Sequence, residues 1–312
     1  MELIRGTHNL RAEHCGCVLT IGNFDGVHLG HQAVLSQVRE KAQQLGVPSA
    51  VMTFEPQPQE LFQPEKAPAR LTNWREKYLA LRAQNVDRHI VIEFNKKFAS
   101  QPAREFIEQT LVGKLGVKFL VVGDDFRFGY KREGDFELLQ KAGKELDFEV
   151  VDTRSYRQQQ QRVSSTAIRQ ALEEGDFEQA EQMLGRAYRI CGKVVHGRKN
   201  GRTIGFPTAN VPLKRLKSPL HGVFAVTAQF GKDEEIHSGV ANLGTRPTLN
   251  GDEVQLEVHL FEFSGNLYGQ QMTVTPVAKL RNEQRFASLQ HLQEQIEKDA
   301  ARAREALACR SQ

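Results

Sequence analysis

An apolar run, a glycine turn and a helical pattern follow one another without interruption near the start of the chain. The run covers Cys17–Ile21, two glycines break it, and the helical pattern extends over about residues 28–45. Backbone N–H groups and the helix dipole bind anions where a strand leads through a turn into a helix. His28 and His31 are three residues apart and lie on the same side of the first turn. The segment therefore predicts an α/β domain with a phosphate site. No Gly-Lys-Ser/Thr follows, which excludes a Walker loop.

The first 185 residues alternate apolar runs with helical stretches, which is typical of βαβ units on a parallel sheet. The predicted strands are Cys17–Ile21, Ser49–Phe54, His89–Phe94, Lys118–Val122 and Phe148–Val151. The predicted helices after the first cover about residues 73–84, 102–114 and 134–146. The histidine turn, a proline-rich loop at 55–64 and a turn at 123–129 each follow a predicted strand. Open α/β sheets bind ligands at the carboxyl ends of their strands, so we expect these three segments to converge.

The pattern changes after Gly185. Glycine and proline turns separate five predicted strands, which are Tyr188–Val195, Val223–Phe230, Glu235–Ala241, Leu256–Phe261 and Gln271–Leu280. A helical stretch follows from about Ser288 to Ala308. This order predicts an antiparallel β-barrel followed by a terminal helix. We therefore predict two domains, at residues 1–185 and 186–312.

Composition narrows the class of protein. A net charge of +4 is too small to indicate a nucleic-acid partner, and no apolar run is long enough to span a membrane. The four cysteines are too scattered for a disulfide framework, and Cys15 and Cys17 have no second ligand pair nearby for a metal. Two short basic clusters, at 193–202 and 214–217, are typical of solvated loops. We expect a cytoplasmic protein with reduced thiols and no membrane partner, as a monomer or with weak self-association.

The ten-residue string from Gly22 to His31 carries a resemblance. Its His-x-Gly-His pattern resembles the nucleotidyltransferase superfamily, and the whole string is similar to the N-terminal module of bacterial bifunctional riboflavin kinase/FMN adenylyltransferases. The alternative interpretation is an ordinary strand–helix corner with two surface histidines. The resemblance implies a Rossmann-like nucleotidyltransferase domain that converts FMN and ATP to FAD and pyrophosphate. It also implies a C-terminal antiparallel β-barrel with riboflavin kinase activity and a terminal helix.

A second segment, Ser164 to Arg169, looks like the family's Ser-Ser-Thr-x-x-Arg motif. Helix capping alone would explain its hydroxyl groups, and Arg169 alone would be a solvated helix residue. The resemblance implies that the motif closes on the ATP phosphates and that His28, His31 and Arg169 stabilise the transition state. The implied ATP-binding residues of this domain are Gly22, Asn23, Phe24, Asp25, Gly26, Ser164, Ser165 and Thr166.

Flavin contacts are implied by two further segments. The string Asp124-Asp-Phe-Arg-Phe-Gly129 matches a family motif, and Phe54 with the following Glu55-Pro-Gln-Pro58 resembles the wall of the family's flavin pocket. The phenylalanines would be explained equally well by packing of the corner. The implied flavin-binding residues of the first domain are Phe54, Pro56, Asp125, Arg127 and Phe128.

The segment Gly197–Asn210 is the strongest motif of the second half. Its glycines and arginines form a cationic loop that can surround a polyphosphate. Pro207 fixes the backbone ahead of Thr208 and Asn210, whose oxygens suit Mg²⁺. The string resembles the Pro-Thr-Ala-Asn motif of riboflavin kinases, which implies Thr208 and Asn210 as metal ligands. The implied ATP-binding residues are Gly201, Gly205, Thr208 and Asn210.

A kinase that acts on an alcohol needs an acceptor for the hydroxyl proton. Glu257 and His259 share one face of the alternating run Leu256–Leu260, although a solvated strand face would have the same pattern. The resemblance places the catalytic glutamate at Glu257 and a flavin contact at Arg281. The run Phe261-Glu-Phe263 departs from the family's Leu-Asp-Phe and affects none of these assignments.

Two rival functions are compatible with parts of this pattern. One is a different nucleotidyl transfer, with the second domain only a binding module, and the other is a flavin carrier that has lost catalysis. The motifs together favour an enzyme that uses riboflavin, FMN, FAD and ATP with Mg²⁺, without a nucleic-acid partner.

Overall fold

The computed structural model describes residues 1–153, 163–197, 205–231, 235–248 and 251–309. Two compact units are present. The first combines Met1–Pro68 with Lys77–Val163, and the second combines Ala69–Glu76 with Ser164–Gln312. Compact units need not follow the limits of evolutionary domains, and the boundary at residue 185 stays a prediction.

The first unit contains a six-stranded parallel sheet. Its strands are β1 (Glu2–Arg5), β2 (Cys17–Ile21), β3 (Ser49–Glu55), β4 (Arg88–Glu93), β5 (Val117–Val122) and β6 (Glu149–Asp152). Their order across the sheet is β1-β4-β3-β2-β5-β6. The five predicted strands are present. The prediction missed β1, because a run of four residues at a sheet edge carries no recognisable periodicity.

Helices connect these strands. They are α1 (Leu29–Leu45), α2 (Pro58–Phe62), α3 (Trp74–Arg82), α4 (Lys96–Ala99), α5 (Ala103–Glu105) and α6 (Phe136–Leu146). Helix α5 continues directly as a π-helix over Phe106–Lys114. Short 3₁₀ turns cover Thr7–Asn9, Ala12–His14, Pro64–Lys66 and Tyr130–Arg132.

Strand β2 is the central strand that leads to the histidine turn. All five of its residues are buried, as expected for a parallel strand covered on both faces. Leu19 and Ile21 join a large apolar cluster on one face, and Val18 packs with Val38 and Phe119 on the other. Because β2 pairs with β3 and β5 in parallel, the loops that follow these three strands leave the same edge of the sheet.

The second unit is built around an antiparallel sheet of six strands in the order β7-β12-β9-β10-β11-β8. The strands are β7 (Ile190–Lys193), β8 (Ala209–Pro212), β9 (Gly222–Phe230), β10 (His237–Thr248), β11 (Gly251–Leu260) and β12 (Gln271–Arg281). A bridge between Val195 and Asn210 joins the two ends of this order, with the Val195 N–H donating to the Asn210 carbonyl at 2.9 Å. The sheet is therefore a nearly closed barrel, which confirms the predicted architecture.

In the part of the second unit that the structure describes, the barrel is accompanied by α7 (Ser165–Glu174), α8 (Phe177–Leu184) and α9 (Leu289–Ala308). Ser288 caps the N-terminus of α9 by accepting the N–H of His291. Ala303 and Leu307 of α9 pack with Val223, Ala225 and Val240 of the barrel. The predicted terminal helix is therefore present, and it covers part of the barrel sheet.

Two candidate active sites

The turn after β2 has an unusual backbone. Phe24 and Val27 have φ angles of 46° and 42°, and Gly26 has a φ of 83°. Left-handed conformations are uncommon for residues with a Cβ and persist only where the surroundings hold them. Here the Phe24 and Val27 side chains are 4% and 0% exposed, and Asp25 is also buried. The turn is therefore held in one shape by the core beneath it.

His28 lies at the N-terminus of α1 as its N-cap residue. Its Nδ1 accepts the backbone N–H of His31 at 3.3 Å. In this arrangement the neutral imidazole carries its proton on Nε2, which is then a hydrogen-bond donor. The His28 and His31 rings stack with centroids 3.7 Å apart, and the Phe24 ring lies 4.9 Å from that of His31. Two imidazoles and a helix N-terminus thus form one compact group that suits an anion.

Gly30 allows this group to form. A Cβ at Gly30 would come within 3.2 Å of the Nδ1 and Cε1 atoms of His28 and 3.5 Å of the Val163 carbonyl oxygen. A side chain at this position would therefore push on the His28 ring. Val163 also immediately precedes the Ser164 motif in the sequence.

An aromatic pocket of about 540 Å³ lies in the first unit. Its lining comes from the end of β3, from α2, from the segment after β4 and from the turn after β5. The aromatic members are Phe54, Phe62, Phe94, Phe98, Phe106, Phe126, Phe128 and Tyr130. Phe62 and Tyr130 are 59% and 45% exposed, so the pocket presents unfilled apolar surface at its rim. Such a pocket suits a flat aromatic ligand.

The pocket confirms part of the predicted convergence. The segment predicted as a proline-rich loop contains helix α2, and it lines the pocket through residues such as Phe62. Phe54 at the end of β3 and Arg127 and Phe128 in the turn after β5 also line it. Pro56, Asp125 and the histidine turn are not among the lining residues. The sequence prediction missed Phe62, Phe94 and Phe98, although the density of phenylalanine around residues 94–106 is a signal that could have found them.

In the second unit, Ser164 caps α7 by accepting the Ala167 N–H at 3.2 Å. Ser165 and Arg169 are half-buried, and Thr166 is exposed. The Arg169 Nε donates to the carbonyl oxygen of Ala69 at 2.6 Å. The capping interpretation of Ser164 is therefore confirmed, and Arg169 is a positioned residue instead of a freely solvated one.

The kinase motif and Glu257 lie on neighbouring strands. Asn210 of β8 and Glu257 of β11 are directly opposite each other, so their side chains share a face at a typical Cβ separation of about 5 Å. The Gln255 amide donates to the Asn210 Oδ1 at 2.6 Å, and the Asn210 Nδ2 donates to the Thr208 carbonyl at 3.3 Å. A Cβ at Gly197 would overlap the Asn210 amide. The structure thus brings Thr208, Asn210 and Glu257 together.

His259 holds the motif loop against β11. Its Nδ1 is 2.9 Å from the Pro207 carbonyl oxygen, to which it donates, and its ring is 5.1 Å from that of Phe206. The sequence placed His259 on the face of Glu257 without assigning it a function. Gly205 has a φ of 82°, whereas Gly201 lies outside the described residues.

Arg281 forms an ion pair within the second unit. Its guanidinium binds Asp299 of α9, with Nε–Oδ2 and Nη2–Oδ2 distances of 2.9 and 2.7 Å, and it lies 5.7 Å from the Phe286 ring. This ion pair joins β12 to α9. A flavin contact by Arg281 stays a prediction.

No group of three or more His, Cys, Asp and Glu side chains in the described part of the chain could hold a metal ion. No helix in that part is long and apolar enough to cross a membrane.

Comparison with known proteins covers nearly the whole chain. A family model described as FAD synthetase matches residues 10–167, and one described as riboflavin kinase matches residues 184–307. The bifunctional riboflavin kinase/FMN adenylyltransferase of Haemophilus influenzae is 54% identical over 304 residues, which are 97% of this chain and 98% of that protein. The protein of the same description from Escherichia coli K12 is 54% identical over 306 residues, 98% of this chain and 97% of the relative. The one from Pseudomonas fluorescens is 52% identical over 305 residues, 97% of each chain.

A solved structure has a similar fold over almost the same length. It is described as a macrolide-efflux protein from Streptococcus pneumoniae, is 29% identical, and has a TM-score of 0.72 over 96% of this chain and 97% of that one. Its description concerns that protein and assigns no function here.

A parallel α/β domain matched by the FAD synthetase model, followed by an antiparallel barrel matched by the riboflavin kinase model, defines a two-domain flavin transferase. The chain belongs to the bifunctional riboflavin kinase/FMN adenylyltransferase family. It has FMN adenylyltransferase activity in the N-terminal domain and riboflavin kinase activity in the C-terminal domain, with ATP as the nucleotide substrate. The fold class and the function predicted from the sequence are confirmed.

Proposed function

We propose that the histidine turn performs adenylyl transfer, with His28, His31 and Arg169 as its catalytic residues. The observation that carries this assignment is the orientation of His28. Its Nδ1 is occupied by the His31 N–H, which leaves Nε2 as the donor at the N-terminus of α1. The helix dipole and the two stacked imidazoles favour negative charge at the same place.

In this reaction an oxygen of the FMN phosphate attacks the α-phosphorus of ATP. A new P–O bond forms, the bond to the bridging oxygen of the β-phosphate breaks, and pyrophosphate leaves with the electron pair. Because the FMN phosphate is already a nucleophile, the protein needs no nucleophile or general base of its own. Its contribution is to hold two anions in line and to stabilise the charge that develops, with Arg169 and the imidazole donors on the phosphates. We assign ATP binding to residues 22–26 and 164–166.

The aromatic pocket is the proposed site of the isoalloxazine ring of FMN. Phe54 and Phe128 would contact the ring system, and Arg127 would bind the polar part of the flavin. The Arg127 guanidinium is 42% exposed and 3.7 Å from Asp135, so it remains accessible to an anion. Pro56 and Asp125 are proposed as flanking contacts on the two turns that border the pocket.

Glu257 is the proposed base of riboflavin phosphorylation. The ribityl 5′-hydroxyl attacks the γ-phosphorus of ATP, its proton passes to the Glu257 carboxylate, and ADP leaves. The half-buried Glu257 lies opposite Asn210, which supports a position next to the phosphate-binding loop. Gly205, Thr208 and Asn210 are assigned to ATP, together with Gly201. Arg281 is proposed as a flavin contact.

Thr208 and Asn210 are the residues that would hold Mg²⁺. A hydroxyl and an amide oxygen are the hard donors that Mg²⁺ accepts when phosphates and waters complete its coordination. Gln255 and Gly197 fix the Asn210 amide in place, so the donor set fits such an ion. Bound Mg²⁺ would screen the phosphate charge.

We place the enzyme in the cytoplasm, with small-molecule partners, no nucleic-acid partner, and a monomeric or weakly self-associating state. The four cysteines are free thiols, which suits a reducing compartment.

The Arg169→Ala variant tests the adenylyl-transfer assignment. We expect its FAD formation from FMN to fall by at least about 10²-fold, because one charge-stabilising group is lost, while FMN formation from riboflavin is unchanged. Gln170→Ala is the matched control, since the exposed Gln170 bonds only its helix neighbour Glu174 among the described contacts. Full FAD formation by Arg169→Ala would overturn the assignment.

A further inference from the structure

A buried ion pair lies between distant parts of the chain within the second unit. The Arg215 Nη2 is 3.1 and 2.9 Å from the two carboxylate oxygens of Glu76. The Arg215 side chain is 0% exposed and that of Glu76 is 5% exposed. A buried guanidinium that binds both oxygens of a carboxylate is directional as well as strong, so this pair fixes the relative position of its two segments.

The same two side chains hold the backbone around them. The Glu76 carboxylate also accepts the N–H groups of Cys191 at 2.7 Å and Asn73 at 2.6 Å. The Arg215 Nη1 donates to the carbonyl oxygen of Arg70 at 2.9 Å and to the Tyr188 hydroxyl at 3.1 Å. That hydroxyl in turn donates to the Leu71 carbonyl at 2.9 Å. Residues 69–76 are therefore bound to the rest of the second unit by a connected polar network, which we call the Arg215 network.

Arg169 is attached to the same segment. Its Nε donates to the carbonyl of Ala69, and Arg215 donates to the carbonyl of the next residue, Arg70. Two guanidinium groups thus bind consecutive peptide units from separate parts of the sequence. A long arginine side chain has many rotamers, and a fixed acceptor for its Nε selects one orientation of the guanidinium plane. That acceptor stays in place only while residues 69–76 remain bound.

We propose that Arg215 and Glu76 are positioning residues for adenylyl transfer that act through Arg169. This inference rests on the proposed role of Arg169. Arg215 lies in the part of the chain that matches the riboflavin kinase model, at residues 184–307. A residue of the kinase half of the sequence would therefore affect the rate of adenylyl transfer, which is the reaction of the other half.

The Arg215→Lys variant provides the test. Lysine keeps the charge, but its ammonium group cannot bind both Glu76 oxygens, the Arg70 carbonyl and the Tyr188 hydroxyl at once. We expect kcat for FMN adenylylation to fall about tenfold, since a small displacement of a group that stabilises the transition state has a large effect on rate. The KM for FMN and the kcat for riboflavin phosphorylation should stay within about twofold, because neither depends on Arg169.

A double-mutant cycle separates positioning from general damage. In the Arg169→Ala background, Arg215→Lys should cause no further loss of adenylylation, because the residue through which it acts is absent. Equal losses in the two backgrounds would overturn the inference. A normal rate for Arg169→Ala alone would instead refute the proposed function of Arg169.

Two further variants distinguish the proposed effect from a general loss of folding. Asp299→Asn weakens another buried ion pair of the same unit, with Arg281, and should leave adenylylation unchanged. If Arg215→Lys also loses kinase activity, Tyr188→Phe replaces it. That variant removes only the hydroxyl between Arg215 and Leu71, and it should lower kcat for adenylylation about threefold in the wild-type background and not in Arg169→Ala. An unchanged rate in Tyr188→Phe would contradict the proposal.

Discussion

The two candidate sites differ in how far apart in sequence their residues lie. In the first, His28 and His31 lie in the first turn of the helix that follows central strand β2. The turn that joins the strand to this helix is fixed by buried side chains. In the second, Asn210 and Glu257 are 47 residues apart in sequence and meet only because β8 pairs with β11. The acceptor of adenylyl transfer is already an anion, so the proposed site supplies only hydrogen-bond donors and the Arg169 charge. The acceptor of the kinase is an alcohol, so we propose that a carboxylate takes its proton. This difference in chemistry is the reason for proposing a base in the second site only.

Replacement of the base should have the largest effect. Glu257→Gln keeps the shape of the side chain and removes its proton acceptor, so we expect riboflavin phosphorylation to fall by about 10³-fold. FAD formation from added FMN should stay within about twofold of wild type. Glu262→Gln, a change at an exposed carboxylate close by in the sequence, is the matched control for charge. A kinase rate near that of wild type in Glu257→Gln would remove the proposed difference between the sites.

His28→Ala is the reciprocal change. Loss of the Nε2 donor should lower FAD formation by about 10²- to 10³-fold, as for other groups that stabilise developing charge, while FMN formation is intact. The two rates are measured separately by chromatography of flavins from riboflavin and from FMN. His8→Ala changes an exposed histidine of the same unit and should have no effect. A parallel fall of both rates in His28→Ala would contradict the assignment of separate sites.

Substitutions at two glycines should have smaller effects, each on one of the two activities. A Cβ at Gly197 would overlap the Asn210 amide, so Gly197→Ala should lower the kinase rate about tenfold and raise its Mg²⁺ requirement. A Cβ at Gly30 would come only within 3.2 Å of the His28 ring, so Gly30→Ala should lower adenylylation about threefold. Each variant is the control for the other, because each should leave the second activity unchanged. Equal effects on both activities in steady-state assays would argue against these local contacts.

The smallest expected effect concerns stability of the first unit. His89 of β4 is 1% exposed and lies 2.9 Å from the Thr53 hydroxyl. Burial, and then the charge of Lys77, lower the pKa of His89 from 6.5 to about 3. Below pH 6.5 the unfolded chain binds a proton that the folded chain excludes, so stability falls as the pH drops toward 3. The loss from this group between pH 7 and 5.5 is about 1 kcal/mol, or about 3 °C in Tm.

Thermal unfolding of His89→Gln at both pH values measures this contribution. Glutamine can keep a hydrogen bond to Thr53 and does not titrate, so the variant should lose about 3 °C less than wild type on acidification. His8→Gln, at an exposed position, should behave like wild type. Identical pH dependence of wild type and His89→Gln would refute the burial argument.

Most of the fold could be predicted because its elements have clear local limits. Strand β2 coincides with the predicted Cys17–Ile21, since Gly16 and Gly22 bound a continuous apolar run. Strand β8 was missed, because Ala209–Pro212 is only four residues long and belongs to a motif that has the pattern of a loop. Strand β10 continues to Thr248, well beyond the predicted end at Ala241, because it pairs with β11 through the glycine- and proline-containing run.

Spacing alone could relate only site residues that are close in sequence. It relates His28 to His31, whereas the aromatic pocket combines four separate segments. The interpretation of residues 214–217 as a solvated loop was wrong for Arg215, whose side chain is completely buried. Its partner Glu76 is 139 residues away, and no local pattern indicates a carboxylate at that distance.

We propose that two separate sets of residues perform the two reactions. The most direct test mixes equal amounts of the His28→Ala and Glu257→Gln proteins with riboflavin, ATP and Mg²⁺. Each variant alone should form almost no FAD from riboflavin. In the mixture, FMN made by the first protein should be converted to FAD by the second, at a rate that increases with protein concentration. A mixture that forms no FAD, although each variant retains its own remaining activity, would contradict the account.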